Sequence, residues 1–308
     1  MWLQKDYIRI HSSSVMRKQR TQRVKQERKY ELVPSNRAGT GLEAWDLQEL
    51  KPRKKNKDKS KSRKPKRIKF VFASDNHGDK VDKKAAEALF AFCEEFNPDV
   101  RIHGGDCFDI RPYRKSADAE EKNQSLKDDI KWGKWFIENY KPTVFMMGNH
   151  EYRLYEGVQN NTGRKQELIQ ETLDDIKTCL RANGCKKIIE YHADKGVYTL
   201  GKVRTVHGYK CGKNAVEEHA IHYAPVGGAC IIGHVHSMQM VTAQRWGGCV
   251  GFTGGCLCLK DEMSYAQNRF ATSKWGTGWL YGYIEGNNWK IWQAHKVGKK
   301  WIYSHTEI

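Results

Sequence analysis

Five short polar clusters punctuate the middle of this chain: Asp75-Asn76-His77, Gly105-Asp106-Cys107-Phe108-Asp109, Gly148-Asn149-His150-Glu151, Val206-His207-Gly208 and Gly233-His234-Val235-His236. Carboxylate and amide oxygens with imidazole nitrogens form the donor set that borderline divalent ions such as Mn, Fe and Zn accept. Glycine flanks most of the clusters, and a residue without a Cβ permits the tight turn that aims a neighbouring side chain back over a sheet edge. If these side chains converge, the chemistry open to them is metal-assisted hydrolysis, in which two dications about 3.5–4 Å apart clamp both sides of an in-line displacement. A lone Asp-x-His on a loop is usually a satisfied turn, so the weight rests on the set of five.

Each cluster must be carried by something rigid. Apolar, β-rich runs precede them at 68–73 (IKFVFA), 100–103 (VRIH), 143–147 (TVFMM), 202–206 and 229–232. Apolar residues at helical spacing predict helices over 81–96, 119–140 and 164–183. Further strands are expected at 187–191 and 196–200, and residues 240–305 read as β-rich with tight Gly-containing turns. Strand, polar loop and helix in repetition argue for an α/β sheet whose ligands bind beyond the C-terminal strand ends.

In type, order and separation the five clusters resemble the calcineurin-like metallophosphoesterase superfamily, which is marked by DxH, GDxxx, GNH[ED], a separate His and GHxH. All five motifs lie within residues 68–240. In style the chain is closest to bacterial or phage phosphodiesterases and to repair-exonuclease-like members, without their long C-terminal coiled coil. The resemblance implies a four-layer α-β-β-α sandwich with two sheets face to face. It implies that Asp75, His77, Asp106 and His236 hold one ion and that Asp106 bridges to a second held by Asn149, His207 and His234. Manganese is the first expectation, with Fe, Zn or Ni as alternatives. A hydroxide bridging the two ions is the implied nucleophile. His150 matches the position of the family's proton donor, and Asp109 the carboxylate that orients it; an Asp so placed should raise the imidazole pKa. A turn-capping carboxylate is the plain alternative for Asp109. Glu151 reads as a structural hydrogen-bond acceptor, His103 as structural, and His192, His219, His222, His295 and His305 as ordinary polar residues.

The superfamily spans many phosphoesters, so fold and metals do not name the substrate. Calcineurin-type protein phosphatases carry an Arg before GNHE and another after GDxxD; here those places hold Met147 and Ile110. Arg111 follows one place later and, with Arg153, is a candidate substrate contact. A terminal phosphate dianion profits most from a bidentate guanidinium, and a diester needs it less. Trp132, Trp135, Tyr113, Arg114 and Tyr152 also follow the metal loops or lie near them and are candidates for stacking on a base or touching the backbone, with core or salt-bridge roles as the alternative. The expected function is therefore a phosphodiesterase or nuclease on nucleic acid. A phosphomonoesterase on a nucleotide or phosphoprotein, and a non-catalytic scaffold, are the alternatives.

Charge points the same way. Residues 1–69 hold 22 Lys+Arg against 7 Asp+Glu, whereas the remainder hold 32 against 29. A basic arm and linker over 1–67 thus precede a nearly neutral domain over 68–308, and such an arm is attracted to nucleic acid. A solubility tail or a localisation signal is the plainer reading of that charge. Within the arm a basic helix is expected near 14–31, a loop at 34–41, a short helix at 42–50 and a flexible, highly charged linker at 51–67. No run approaches the 18 apolar residues of a membrane span, and no membrane partner is expected. Nine scattered cysteines without a CxxC pair favour a reducing interior, hence a cytoplasmic site of action, or the host cytoplasm if the source is viral. Cys256 and Cys258 form a CxC without partners at zinc spacing and read as ordinary buried thiols.

Overall fold

The computed structural model of the protein describes residues 30–34, 45–49, 65–115, 117, 119–263 and 272–303. The chain divides into two units, residues 1–63 and 64–308. In the first, Tyr30–Pro34 (β1) and Trp45–Glu49 (β2) pair antiparallel with Leu32 opposite Leu47. A helix was the expectation over 42–50, and the structure corrects it. Trp45, Leu47 and Glu49 alternate with Asp46 and Gln48 at the strand period of two, and a partner strand of equal length is at hand. Of the helix expected over 14–31 only residues 30 and 31 are described, and they belong to β1; the linker lies outside the described residues as far as 64.

The second unit contains two sheets. The strands Arg67–Ala73 (β3), Val100–His103 (β4), Val144–Met146 (β5) and Lys187–Ile189 (β6) run parallel. Tyr198–Leu200 (β7), Val203–Val206 (β8), Gly228–Ile232 (β9), Met238–Thr242 (β10) and Cys249–Gly254 (β11) form a smaller sheet in the order β10-β11-β9-β8-β7. The chain then returns to the first sheet with Gly278–Glu285 (β12), Asn288–Val297 (β13) and Lys300–Ile302 (β14), giving the order β14-β13-β12-β3-β4-β5-β6. Antiparallel pairing of β12 on β3 lets a short C-terminal meander extend the parallel core without crossovers.

Alternation along β3 creates the layers. Phe70 and Phe72 face the smaller sheet and pack with Ile102, Val144, Ile231 and Phe252, whereas Val71 and Ala73 face the helices. Full burial of each Phe contributes about 1.5–3 kcal/mol. On the outer face of the larger sheet lie Lys83–Phe96 (α1), Leu126–Tyr140 (α3) and Gly163–Ala182 (α5), which contribute Leu89, Phe92, Phe136, Ile137, Ile169 and Leu173 to the same core. Ala215–Tyr223 (α6) covers the smaller sheet through Val216 and Ala220. The four-layer α-β-β-α sandwich is therefore present.

Local chemistry sets the helix ends. Asp82 caps α1 by accepting from Ala85 N at 3.1 Å, and Asn97 ends it in the left-handed conformation. The segment expected as one helix over 119–140 is two, Ala119–Asn123 (α2) and α3, because Ser125 caps the second at Asp128 N. Two helices escaped the sequence reading: α6, and Asn149–Asn160 (α4), which begins inside the third polar cluster.

Candidate metal centre

All five clusters sit on the loops immediately beyond the C-terminal ends of β3, β4, β5, β8 and β9, which share one edge of the sandwich. The backbone there is unusual. Among the described non-glycine residues with positive φ are Asp75 at 60°, His77 at 50°, Asp106 at 52°, His234 at 63° and His236 at 55°. Left-handed conformations cost L-residues of order 1–3 kcal/mol and persist where the surroundings over-determine them, commonly at functional sites. Close approach adds a second constraint: a Cβ on Gly148 would lie 2.1 Å from Asp106 Oδ1, and one on Gly105 would lie 2.6 Å from His207 Nδ1.

The side chains converge. Asp75, His77 and Asp106 present donor atoms within 4.8 Å of one another, and so do Asp106, His207 and His234. Asp106 is common to both groups. His236 joins the first, with Nε2 3.1 Å from His77 Nε2 and 3.3 Å from Asp75 Oδ1. Asn149 joins the second, with Oδ1 3.0 Å from His207 Nε2. His207 Nδ1–H donates to Gly104 O at 2.8 Å, which fixes the tautomer and leaves Nε2 directed at Asp106 Oδ2, 3.3 Å away. Burial alone would raise the Asp75 carboxyl, but the His236 and His207 imidazoles hold it down to about 2. An anchored imidazole tautomer, ionised buried carboxylates and one shared carboxylate suit two divalent ions of the borderline class.

Asp109 is the hub beside these groups. Its Oδ1 lies 2.5 Å from His150 Nδ1 and 3.4 Å from His77 Nδ1, and its Oδ2 accepts from Arg111 Nη1 at 2.6 Å. The expected Asp109–His150 pair is thus in place. His150 also donates its backbone N–H to Asp106 Oδ1 at 3.0 Å, and its Nε2 lies 3.7 Å from Asp106 Oδ2. The expected upward effect of Asp109 on the His150 pKa is present but outweighed. Asp109 and Asp106 do push it up, but burial is the larger effect and, with Arg153, takes the imidazole below its ordinary value. Asp109 itself is held well below the carboxylate range; burial opposes this, and His150 and His77 overcome it.

The two arginines separate. Arg111 is buried, its guanidinium pinned between Asp109 and Asp79 at 2.6 and 2.5 Å, so it braces the dyad and does not line the cavity over the centre. Arg153 donates to Asp109 O at 2.6 Å and lines the cavity over the centre. That cavity, about 700 Å³, is lined by Asp106, His150, His234 and His236 and by Arg114, Lys213, Lys274 and Trp275. Trp275 packs on His236 with ring centroids 4.1 Å apart. Of the aromatic and basic residues singled out in the sequence, Arg114 and Arg153 line this cavity. Trp132 instead lies under Lys83 and against Trp135, and Tyr152 stacks with Tyr155.

Sequence reasoning missed what holds the second loop. Five consecutive amides, 106 to 110, end on two buried carboxylates. Glu151 accepts from Asp106 N, Cys107 N and Phe108 N, and also from Gly148 N, at 2.6–3.0 Å. Asp129 accepts from Asp109 N at 2.9 Å and Ile110 N at 2.6 Å. Glu151 thereby fulfils the structural role expected of it. Asp129 was detectable: it occupies the buried stripe Asp129, Gly133, Phe136, Ile137, Tyr140 of α3, where an apolar residue belongs. His103 is structural, as expected. Its Nε2 meets Asn76 Oδ1 at 2.8 Å, its Nδ1 accepts from Gly105 N, and burial pushes its pKa down to about 3.

Among solved structures the chain is similar to a metallophosphoesterase from Sphaerobacter thermophilus (13% identity, 73% of this chain and 87% of that one, TM-score 0.38). It is similar also to a phosphoesterase from E. coli (16% identity, 73% and 96%, TM-score 0.32) and to an NAD nucleotidase from Haemophilus influenzae (9% identity, 79% and 54%, TM-score 0.36). No curated protein sequence matches the chain. The family model described as calcineurin-like phosphoesterase matches residues 68–238, more than half of the chain and all five clusters. With that match laid over loops that bring Asp75, His77, Asp106, His207 and His234 into two donor groups sharing one carboxylate, the chain belongs to the calcineurin-like phosphoesterase family, the metal-dependent phosphoester hydrolases.

Proposed function

We propose that the protein is a phosphodiesterase acting on nucleic acid. The observation that carries this reading is the cavity lining: Arg153, Lys213 and Lys274 line the cavity, with Trp275 beside His236, while Arg114, also in the lining, is ion-paired with Glu121. Cationic side chains spread around a mouth match a chain of singly charged phosphates, and an indole offers a face to a base. The positions where protein phosphatases carry their arginine clamp are Met147 and Ile110, both buried in the hydrophobic core. Arg111, the nearest replacement, is consumed by Asp109 and Asp79. The preference for a diester over a terminal dianion follows from that missing clamp.

In this reading Asp75, His77, Asp106 and His236 hold one divalent ion, and Asp106, Asn149, His207 and His234 the other. Bound there, the ions supply charge neutralisation at phosphorus and activation of water. Arg153 and the two lysines draw the phosphate into the cavity. His150 donates a proton from Nε2 to the departing oxygen, while Asp109 fixes the ring through Nδ1. Burial alone disfavours the protonated imidazole, and the arriving phosphate anion restores it by adding negative charge nearby. The basic N-terminal segment raises the local concentration of the polyanion.

The test is a substrate panel with Mn²⁺ or Zn²⁺ supplied: labelled DNA and RNA oligomers, bis-p-nitrophenyl phosphate and p-nitrophenyl phosphate. Cleavage of the oligomers and the synthetic diester is expected. Hydrolysis confined to the monoester overturns the reading and returns the enzyme to nucleotides or phosphoproteins.

A further inference from the structure

The CxC sequence that lacked partners along the chain finds them in space. Cys258 Sγ and ring nitrogens of His77 and His236 all lie within 4.8 Å of one another, and the three residues are buried. All three donor atoms are close enough together to be candidates for one ion. The position is also determined. Leu257 N donates to Asp75 O at 3.1 Å, Asp82 N to Leu257 O at 2.8 Å and Leu259 N to Lys80 O at 2.8 Å, tying the segment to the first metal loop. On its other side Cys256 N donates to Gly276 O and Gly276 N to His236 O, both at 2.9 Å, tying it to the last. Cys256 Sγ reaches Gly276 O at 3.6 Å and also meets the side chains of His236 and Cys258. Sulfur also meets the second donor group, where Cys211 Sγ lies 3.0 Å from His234 Nε2.

We propose that Cys258 Sγ is a donor to the first ion, beside Asp75, His77, Asp106 and His236, and that the centre therefore selects a thiophilic divalent ion, Zn²⁺ or Fe²⁺, over Mn²⁺. This rests on the dinuclear reading given above. Binding releases the thiol proton to solvent and forms one metal–sulfur bond. A soft thiolate donor strengthens the hold on zinc and iron and does little for manganese, which favours oxygen.

Cobalt(II) titration of the metal-free protein tests the assignment, with Cys211→Ala as the common background so that the second group contributes no sulfur. The background protein should develop a thiolate-to-cobalt charge-transfer band in the near ultraviolet, together with visible d–d bands. Cys258→Ser and Cys258→Ala should lose the charge-transfer band, and Cys256→Ser should keep it. In competition titrations the preference for Zn²⁺ over Mn²⁺ should fall roughly tenfold or more in Cys258→Ser, a loss of the size that follows removal of a group supporting a metal site. Bound cobalt without a charge-transfer band in the Cys211→Ala protein, or a band that survives in the Cys258 variants, overturns the sulfur donor and leaves the dinuclear reading standing. Failure to bind cobalt at all overturns both.

Discussion

Asp109 accepts hydrogen bonds from His150 and Arg111 and lies within reach of His77, so one carboxylate joins the proposed proton donor, a brace and a candidate metal ligand. Separating these roles requires two readouts. His150→Ala should lower turnover by about 10²–10⁴-fold, the usual worth of a positioned acid, with metal content by elemental analysis unchanged. Asp106→Ala should lose metal, since both donor groups share that carboxylate. Lost metal in His150→Ala would mean that the ring is a ligand and not a proton donor. Asp129 offers a pH test. Burial, reinforced by the Asp109 charge, raises its carboxyl to about 7 against the backbone donors that favour ionisation. A carboxyl raised above its unfolded value binds its proton more tightly when folded. Its contribution to stability is thus complete below about pH 4, and it is lost as pH rises through 7. Thermal unfolding of the metal-free protein from pH 4 to 8 should show wild type losing stability relative to Asp129→Asn as pH rises; a constant difference would mean that Asp129 does not titrate there. At this scale the ligand-type residues were legible because their identity is their chemistry. Lys213, Lys274 and Trp275 were not, because a Lys in a loop and a Trp near a turn have many ordinary reasons to exist, whereas Asp129 left a signal only in its place on the apolar stripe of α3.

The elements bring these residues together by ending where they do. β3, β4, β5, β8 and β9 stop at one edge, and the next few residues turn through left-handed or glycine conformations that return side chains over that edge. Gly148 is the case that bears directly on the shared carboxylate. A methyl there would sit 2.1 Å from Asp106 Oδ1 and 2.5 Å from Asp106 N, so carboxylate and backbone must both give way. Gly148→Ala should keep the circular dichroism of the fold and weaken metal affinity roughly 10- to 100-fold, as loss of support around a metal site does. Unchanged affinity would show that the loop relaxes freely. The strands were readable because IKFVFA and ACII are short, β-rich and followed at once by polar turns. α4 was hidden because its first turn is made of the site residues Asn149, His150 and Glu151, which obscure the apolar spacing that only Leu154 and Gly157 continue. β2 was misread because five residues of mixed polarity fit either period until a pairing strand decides.

At the scale of the molecule the charge is divided unequally, and under the proposed nucleic-acid function that division sets how the protein would meet a polyanion. Residues 1–63 carry 18 Lys+Arg against 7 Asp+Glu, whereas residues 70–308 carry 32 against 29. A nearly balanced domain has little long-range field, so in that proposal steering would come from Arg153, Lys213 and Lys274 at the cavity and from the N-terminal segment. The two sources are separable by salt. Each phosphate neutralised contributes about −0.7 to the slope of log K against log salt for a single strand and about −0.9 for a duplex. Removing residues 1–63, a cut that spares β3, should flatten that slope by several such increments and weaken binding of DNA and RNA alike. Turnover of bis-p-nitrophenyl phosphate, which carries a single charge and is no polyanion, should be unchanged. Lys213→Ala and Lys274→Ala should each flatten the slope by about one increment and also raise KM on oligomers, because these side chains lie on the cavity wall itself. A slope that survives removal of the segment would place substrate capture entirely at the rim.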